Sequence, residues 1–233
     1  MWYTITRVRF LMIFFSRCPE MLTKKNVIRL LVYLLGIVFL SFGGVLAINS
    51  RLGVSPVNLI QLSVSHSFQL DLMVGSIVTF TAFVLWQIVI LKRDFKLIQF
   101  FQILFAVLFG YLLGFFNDQI QLENLSIVVR VLLQAASLIL IPIGIVLTVS
   151  PGLVPLAPDG IAGAIAIKMK SDFGKGKIVF DIIIVATSIV LLFITSNSFS
   201  DIGIGTIISM LVVGRVVLFI NKHFKEKLEK IFF

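Results

Sequence analysis

Asn58, Gln61, Asp159 and Asp181 are polar side chains set in apolar stretches, and they are the residues best equipped for chemistry. Carboxylates and amides in such surroundings hold solutes, ions or protons, because a charge left in hydrocarbon costs roughly 2.5–3.5 kcal/mol on insertion scales. Asp159 stands in Ala157-Pro158-Asp159-Gly160 at the start of a short apolar segment. A helix N-terminus there offers free N–H groups and partial positive charge. Asp159 is therefore either a capping carboxylate or part of a substrate, ion or proton site. Asp181 follows Lys177 by four residues. It reads either as a coupling carboxylate or as a structural ion pair that snorkels to the surface. Asn58, Gln61 and Ser65 share helical spacing, so this stripe faces either a cavity or water. Gly203-Ile204-Gly205-Thr206 looks like a glycine turn. A lone pair of glycines is weak evidence for phosphate, and a hinge or close packing is the stronger reading. His66 and His223 are far apart, and the sequence contains no Walker loop, zinc spacing or nucleophile–base pair. No metal, cofactor or enzymatic reaction is expected.

These residues are positioned by a repeat. Sliding the chain against itself by 101 positions needs no gap from Val27 to Leu91. Arg29 falls on Arg130, Gly43 on Gly144, Asn58 on Asp159, Asp71 on Asp172 and Gly75 on Gly176. An apolar alphabet yields chance Val-on-Val matches, but matched Gly, Arg and Asp are harder to obtain. Fixed-offset similarity precedes any fold assignment, and within a membrane it indicates transporter-like architecture. Asp181 falls on Phe80, so its role is confined to one half.

Of the 233 residues, 59% are hydrophobic and only 13% charged; a soluble domain carries about a quarter. The net charge of +9 comes from Lys and Arg placed between apolar spans. That placement orients a membrane protein and argues against nucleic acid as a partner. Six spans are expected, at 27–48, 72–91, 97–116, 127–149, 177–195 and 202–220. Lys24, Lys25, Arg29, Lys92, Arg93, Lys96, Lys168, Lys170, Lys175, Lys177 and the terminal lysines then share one side, with Asp71, Asp118, Glu123 and Asp201 on the other. Both termini are thus expected in the cytoplasm.

The expected fold is an all-α membrane protein of six transmembrane helices, arranged as two inverted three-helix repeats. Each repeat holds one short non-spanning helix, the first over 55–68 and the second over 155–170. Ser55 suits an N-cap, Pro56 the first helical turn, and Pro158 with Gly160 punctuates the second copy. Ser55, Pro56, Pro158, Gly160, Gly203 and Gly205 are the expected shaping or hinge residues. The chain divides into an N-terminal extension over 1–25, a first repeat over 26–118, an outer loop over 119–126, a second repeat over 127–221 and a basic cytoplasmic tail over 222–233. Met21, before a short basic head, reads as a natural start; Cys18 is the single cysteine.

Leu52-Gly53-Val54-Ser55-Pro56-Val57-Asn58, Ala157-Pro158-Asp159-Gly160 and Gly203-Ile204-Gly205-Thr206 together resemble the YczE/YitT-like family of bacterial membrane proteins, closer to the YczE branch. Family members tend to carry an aromatic residue and an acid at the positions of Val57 and Asn58, so this chain departs from the pattern there. The resemblance implies a multi-pass location in a bacterial cell membrane and says little about substrate. The expected function is a small secondary transporter or exporter of a small polar metabolite, with Asn58, Gln61, Asp159 and Asp181 at the substrate site. The alternative is a non-transporting partner that assists or regulates another membrane complex. Expected partners are the lipid bilayer, the metabolite with a coupling ion, and a second copy of the chain.

Overall fold

A computed structural model describes residues 24–232 except 121, 123, 124, 172, 196 and 197. The expected extension before residue 24, with Cys18 and Met21, lies outside the described residues, as do Glu123 and Asp172. The described residues form eight α-helices in order: α1 (Lys24–Ser50), α2 (Pro56–Phe68), α3 (Leu72–Leu91), α4 (Phe101–Gln119), α5 (Ile127–Val149), α6 (Ala157–Lys168), α7 (Phe173–Ile194) and α8 (Ile204–Phe232). Two short 3₁₀ turns, Lys92–Asp94 and Leu97–Phe100, join α3 to α4. The described residues contain no strand. Among the described residues, five stretches are long and apolar enough to cross a bilayer: Lys25–Ser50, Leu72–Asp94, Leu97–Gln119, Ile127–Val149 and Phe173–Ile194. In α8 the apolar part is the shorter stretch Ile204–Val217. The chain is a helical membrane protein.

Local signals account for the short helices. Ser55 is extended and its hydroxyl accepts from the Asn58 N–H at 3.4 Å, with Pro56 opening α2. α6 begins two residues later than expected, at Ala157 rather than Pro155, with Leu156 as an extended N-cap. Leu156 cannot cap with its side chain, but Pro158 needs no N–H partner and Asp159 sits in the first turn, where an acid opposes the positive helix end.

Contacts recur at positions 101 apart. At one end of the α1–α5 pair, Arg29 Nε donates to the Pro151 carbonyl at 2.6 Å and its NH2 to that of Gly152 at 3.4 Å. At the other end, Arg130 Nε donates to the Ser50 carbonyl at 2.7 Å and its NH2 to that of Arg51 at 2.5 Å. Between these clamps, Gly43 packs on Ile141 and Gly144 on Leu40. Small residues let the two backbones approach, as membrane helix pairs require. The caps recur too. Gln69 and Lys170 both take left-handed φ, +53° and +51°, just after their short helices. Leu70 N–H then donates to the Ser65 carbonyl at 2.9 Å, and Ser171 N–H to that of Ala166 at 3.0 Å, each a Schellman-type closure. α2 packs on α3 and α7, and α6 on α7 and α3. The correspondence fails in one place: α3 lies along α4, whereas α7 barely touches α8.

Candidate functional site

The N-termini of α2 and α6 meet around a partly open cavity of about 60 Å³. Five pairs of positions 101 apart line it: Leu40 and Ile141, Ser55 and Leu156, Val57 and Pro158, Asn58 and Asp159, Phe80 and Asp181. Lys177, Phe109, Ser209 and Val213 complete much of the wall. Both short helices thus bring their positive N-terminal ends to one centre. Its volume suits a few waters or one small ion, well below the roughly 300–1,000 Å³ of a drug-sized ligand pocket.

Asn58, Asp159 and Asp181 are brought together there, buried to 5%, 7% and 7% exposure. Asn58 Nδ2 has no hydrogen-bond partner and lies beside Gly44, where an added Cβ would crowd it at 2.8 Å. Lys177 Nζ sits 2.5 Å from Asp181 Oδ1, so the i,i+4 ion pair expected as an alternative role for Asp181 is present. The same pair also faces the cavity. The two readings of Asp181 therefore coexist. A buried cation and two carboxylates in one small space form a charge set that a proton or a cation can rebalance.

Gln61 is not part of this wall. It is fully buried one turn along α2, and neither amide atom finds a partner. Ser65, the next residue of the stripe, is buried with an unpartnered hydroxyl. The stripe therefore faces the protein interior rather than bulk water. Gly160 is held against two side chains that sequence reasoning overlooked, Gln87 and Gln102. Their amides exchange hydrogen bonds at 2.8 and 3.1 Å, and Gln87 Nε2 also donates to the Ala157 carbonyl at 3.2 Å. This buried amide pair braces the first turn of α6 behind Asp159. The visible signal was an amide within each of two apolar spans, Gln87 alone in the first and Gln102 beside Gln99 in the second, which interhelical hydrogen bonding makes meaningful.

Gly203 and Gly205 stand away from the cavity. Gly205 N–H donates to the Leu52 carbonyl at 2.8 Å, and Val54 N–H to that of Asp201 at 3.2 Å. A Cβ on Gly203 would run into the Leu52 carbonyl oxygen. The glycine motif is thus a close backbone seam between the α1–α2 linker and the start of α8, in keeping with its packing reading. Outside the spans, His66 Nδ1 lies 3.4 Å from an Asp201 carboxylate oxygen. Burial raises the Asp201 carboxyl above the usual carboxylate range, and His66 partly offsets that rise.

The family model that matches this chain covers residues 27–222, which takes in every helix that builds the cavity and the seam. The chain belongs to DUF6198, a family of unknown function. No curated protein and no solved structure matches it. What DUF6198 membership adds is the extent of the matched unit: it begins three residues into α1 and ends within α8.

Proposed function

We propose that this protein is a small secondary transporter of a small polar metabolite, built as two inverted three-helix repeats of six spans with both termini in the cytoplasm. The observation that carries this reading is the cavity lined by five position pairs 101 apart at the converging ends of two short helices. Transporters of inverted repeats place substrate and coupling-ion sites near the midplane, at the repeat interface, among interrupted helices. The sixth span is α8, whose apolar stretch Ile204–Val217 leads into a basic helical end. Three spans per repeat invert the second copy, which is why the Arg29 and Arg130 clamps close opposite ends of the α1–α5 pair. The three motifs that resemble the YczE/YitT-like family point to a bacterial cell membrane.

In this reading the 60 Å³ centre is the solute site. Asn58 and Asp159 contact the solute or its coupling ion, Asp181 couples through its exchangeable partner Lys177, and rocking of the halves about the α1–α5 pair opens each side in turn. Non-helical backbone at 51–55 and 150–156 borders the cavity and the seam, where polar groups in a membrane are tolerable.

The test is flux. Metabolite profiling of a deletion strain, inside and outside the cell, selects candidate solutes, which are then measured in vesicles reconstituted with the purified protein. Asp159→Asn and Asp181→Asn should each lower flux by about tenfold or more while leaving membrane abundance intact. Parental flux in both variants would sink the site. A stable co-purifying complex with no flux of any solute would replace the transporter with the partner-protein reading.

A further inference from the structure

A second hollow, of about 340 Å³, opens where α3 and α6 end side by side. Lys92, Arg93 and Lys168 line it against one acid, Asp94, and its floor is apolar, with Leu91 and Ile167. Its size falls within the roughly 300–1,000 Å³ range of small-molecule sites. The three cations and the acid are all exposed, and among the described residues no ion pair involves them. Ile167, at 40% exposure, leaves an apolar step beside them.

The same corner exists at the opposite end of the molecule, where α7 meets α2, and it serves as an internal control. Positions 101 apart from Lys92, Arg93, Asp94 and Lys168 are Phe193, Ile194, Thr195 and Ser67. None of these four equivalents is charged, and Ser67 Oγ and Thr195 Oγ1 are hydrogen-bonded at 2.9 Å. One backbone arrangement is thus neutral and tied shut at one end, open and cationic at the other. Cations near helix C-termini also oppose the negative helix ends, and Lys and Arg between spans orient the chain. Neither role calls for a hollow with an apolar floor.

The geometry points to a binding site for the phosphate headgroup of an anionic phospholipid, held by Lys92, Arg93 and Lys168 with its glycerol end over Leu91 and Ile167. Basic pockets between membrane helices bind such headgroups, and each Lys or Arg near an anionic surface contributes about fivefold in affinity. The site is independent of the central cavity and does not rest on the transporter reading.

The full-length protein in neutral detergent, titrated with mixed micelles of phosphatidylglycerol or phosphatidylcholine, tests it by native mass spectrometry and by thermal shift. Phosphatidylglycerol should bind at least about tenfold more tightly, and Lys92→Gln or Arg93→Gln should each weaken it about fivefold. Asp94→Asn, which removes the opposing charge and disturbs no ion pair, should tighten it. Arg51→Gln, at the opposite end, should leave it unchanged. Equal affinity for the two lipids overturns the proposal, as does an unaltered affinity in the Lys92→Gln/Arg93→Gln/Lys168→Gln variant. Should that variant not fold, failure of Asp94→Asn to tighten binding is decisive instead. Glycerol phosphate binding as tightly as the lipid would mean a soluble anion is the ligand, which also overturns the lipid assignment.

Discussion

α2 and α6 are placed alike, opened by an extended residue and a proline, closed by a left-handed residue, and packed on corresponding partners. Along the face that leads from the cavity, however, α2 carries Asn58, Gln61 and Ser65, whereas α6 carries Asp159, Ala162 and Ala166. The charge is on one short helix and the neutral polar stripe on the other. Their supports differ as well. α6 is braced by the Gln87–Gln102 amide pair, while the positions 101 further on from those glutamines are Ser188 and Gly203. Caps, glycines and close backbone contacts are enough to reproduce the scaffold, which leaves side chains inside it free to diverge. A fold of matched halves thus holds an unmatched site.

The strongest test of that asymmetry is charge transfer between the halves. Asp159→Asn removes a charged partner at the centre, and by the 1.5–3 kcal/mol typical of hydrogen bonds to charged groups it should lower flux by about 10- to 100-fold. Adding Asn58→Asp should not rescue it, because Lys177 and Asp181 flank the cavity from α7 and their counterparts are Ser76 and Phe80. Rescue by the double variant would show that the two helices are interchangeable.

The next test concerns packing at matched glycines. On Gly176 a Cβ would strike the Ala162 carbonyl oxygen, which is backbone and cannot yield, whereas on Gly75 it meets the Ser65 hydroxyl, which can rotate. Gly176→Ala should cost about 2 kcal/mol, within the range for overpacking, and Gly75→Ala clearly less. Equal losses of thermal stability in detergent would refute the distinction.

Smaller effects are expected from the amides. Gln87→Leu leaves Gln102 buried without its partner and should cost about 1–2 kcal/mol, whereas Gln87→Leu with Gln102→Leu should be nearly neutral. A double-mutant cycle on melting temperature reads the coupling directly. Smallest is Gln61→Leu. Both amide atoms of Gln61 lack protein partners, so an apolar replacement should raise stability by less than about 1 kcal/mol. If the stripe serves the solute path, that gain comes with reduced flux; a gain without any change in flux would assign Gln61 no functional part.

Much of this was legible in the residues alone. Hydropathy outlined six spans, and five of them are long and apolar enough to cross a bilayer, because a segment facing lipid must be apolar along its whole length. The 101-residue offset matched Arg29 with Arg130, but not the carbonyls each one holds at the far end of a partner helix, which only the packing of α1 on α5 supplies. Ser55-Pro56 announced the start of α2, a local matter of one hydroxyl and one missing N–H. The left-handed closures at Gln69 and Lys170 were hidden, as neither is a glycine or asparagine. The glutamine brace was hidden for another reason: Gln87 and Gln102 lie on separate spans, and only packing shows that their amides face one another.

Sequence therefore spoke for what depends on neighbours along the chain or on the solvent a segment must face: apolar helical spans, the Ser55 cap, the Lys177–Asp181 pair one turn apart and the rarity of polar groups among them. Tertiary structure decided what depends on neighbours across it. It turned Lys177 and Asp181 to the wall that Asn58 and Asp159 share, and it left Gln61 outside that wall. The reason is geometric. Repeat matching states which positions are equivalent, whereas the rotation of each helix about its own axis, set by glycine contacts and backbone clamps between helices, selects which of them reach the same space.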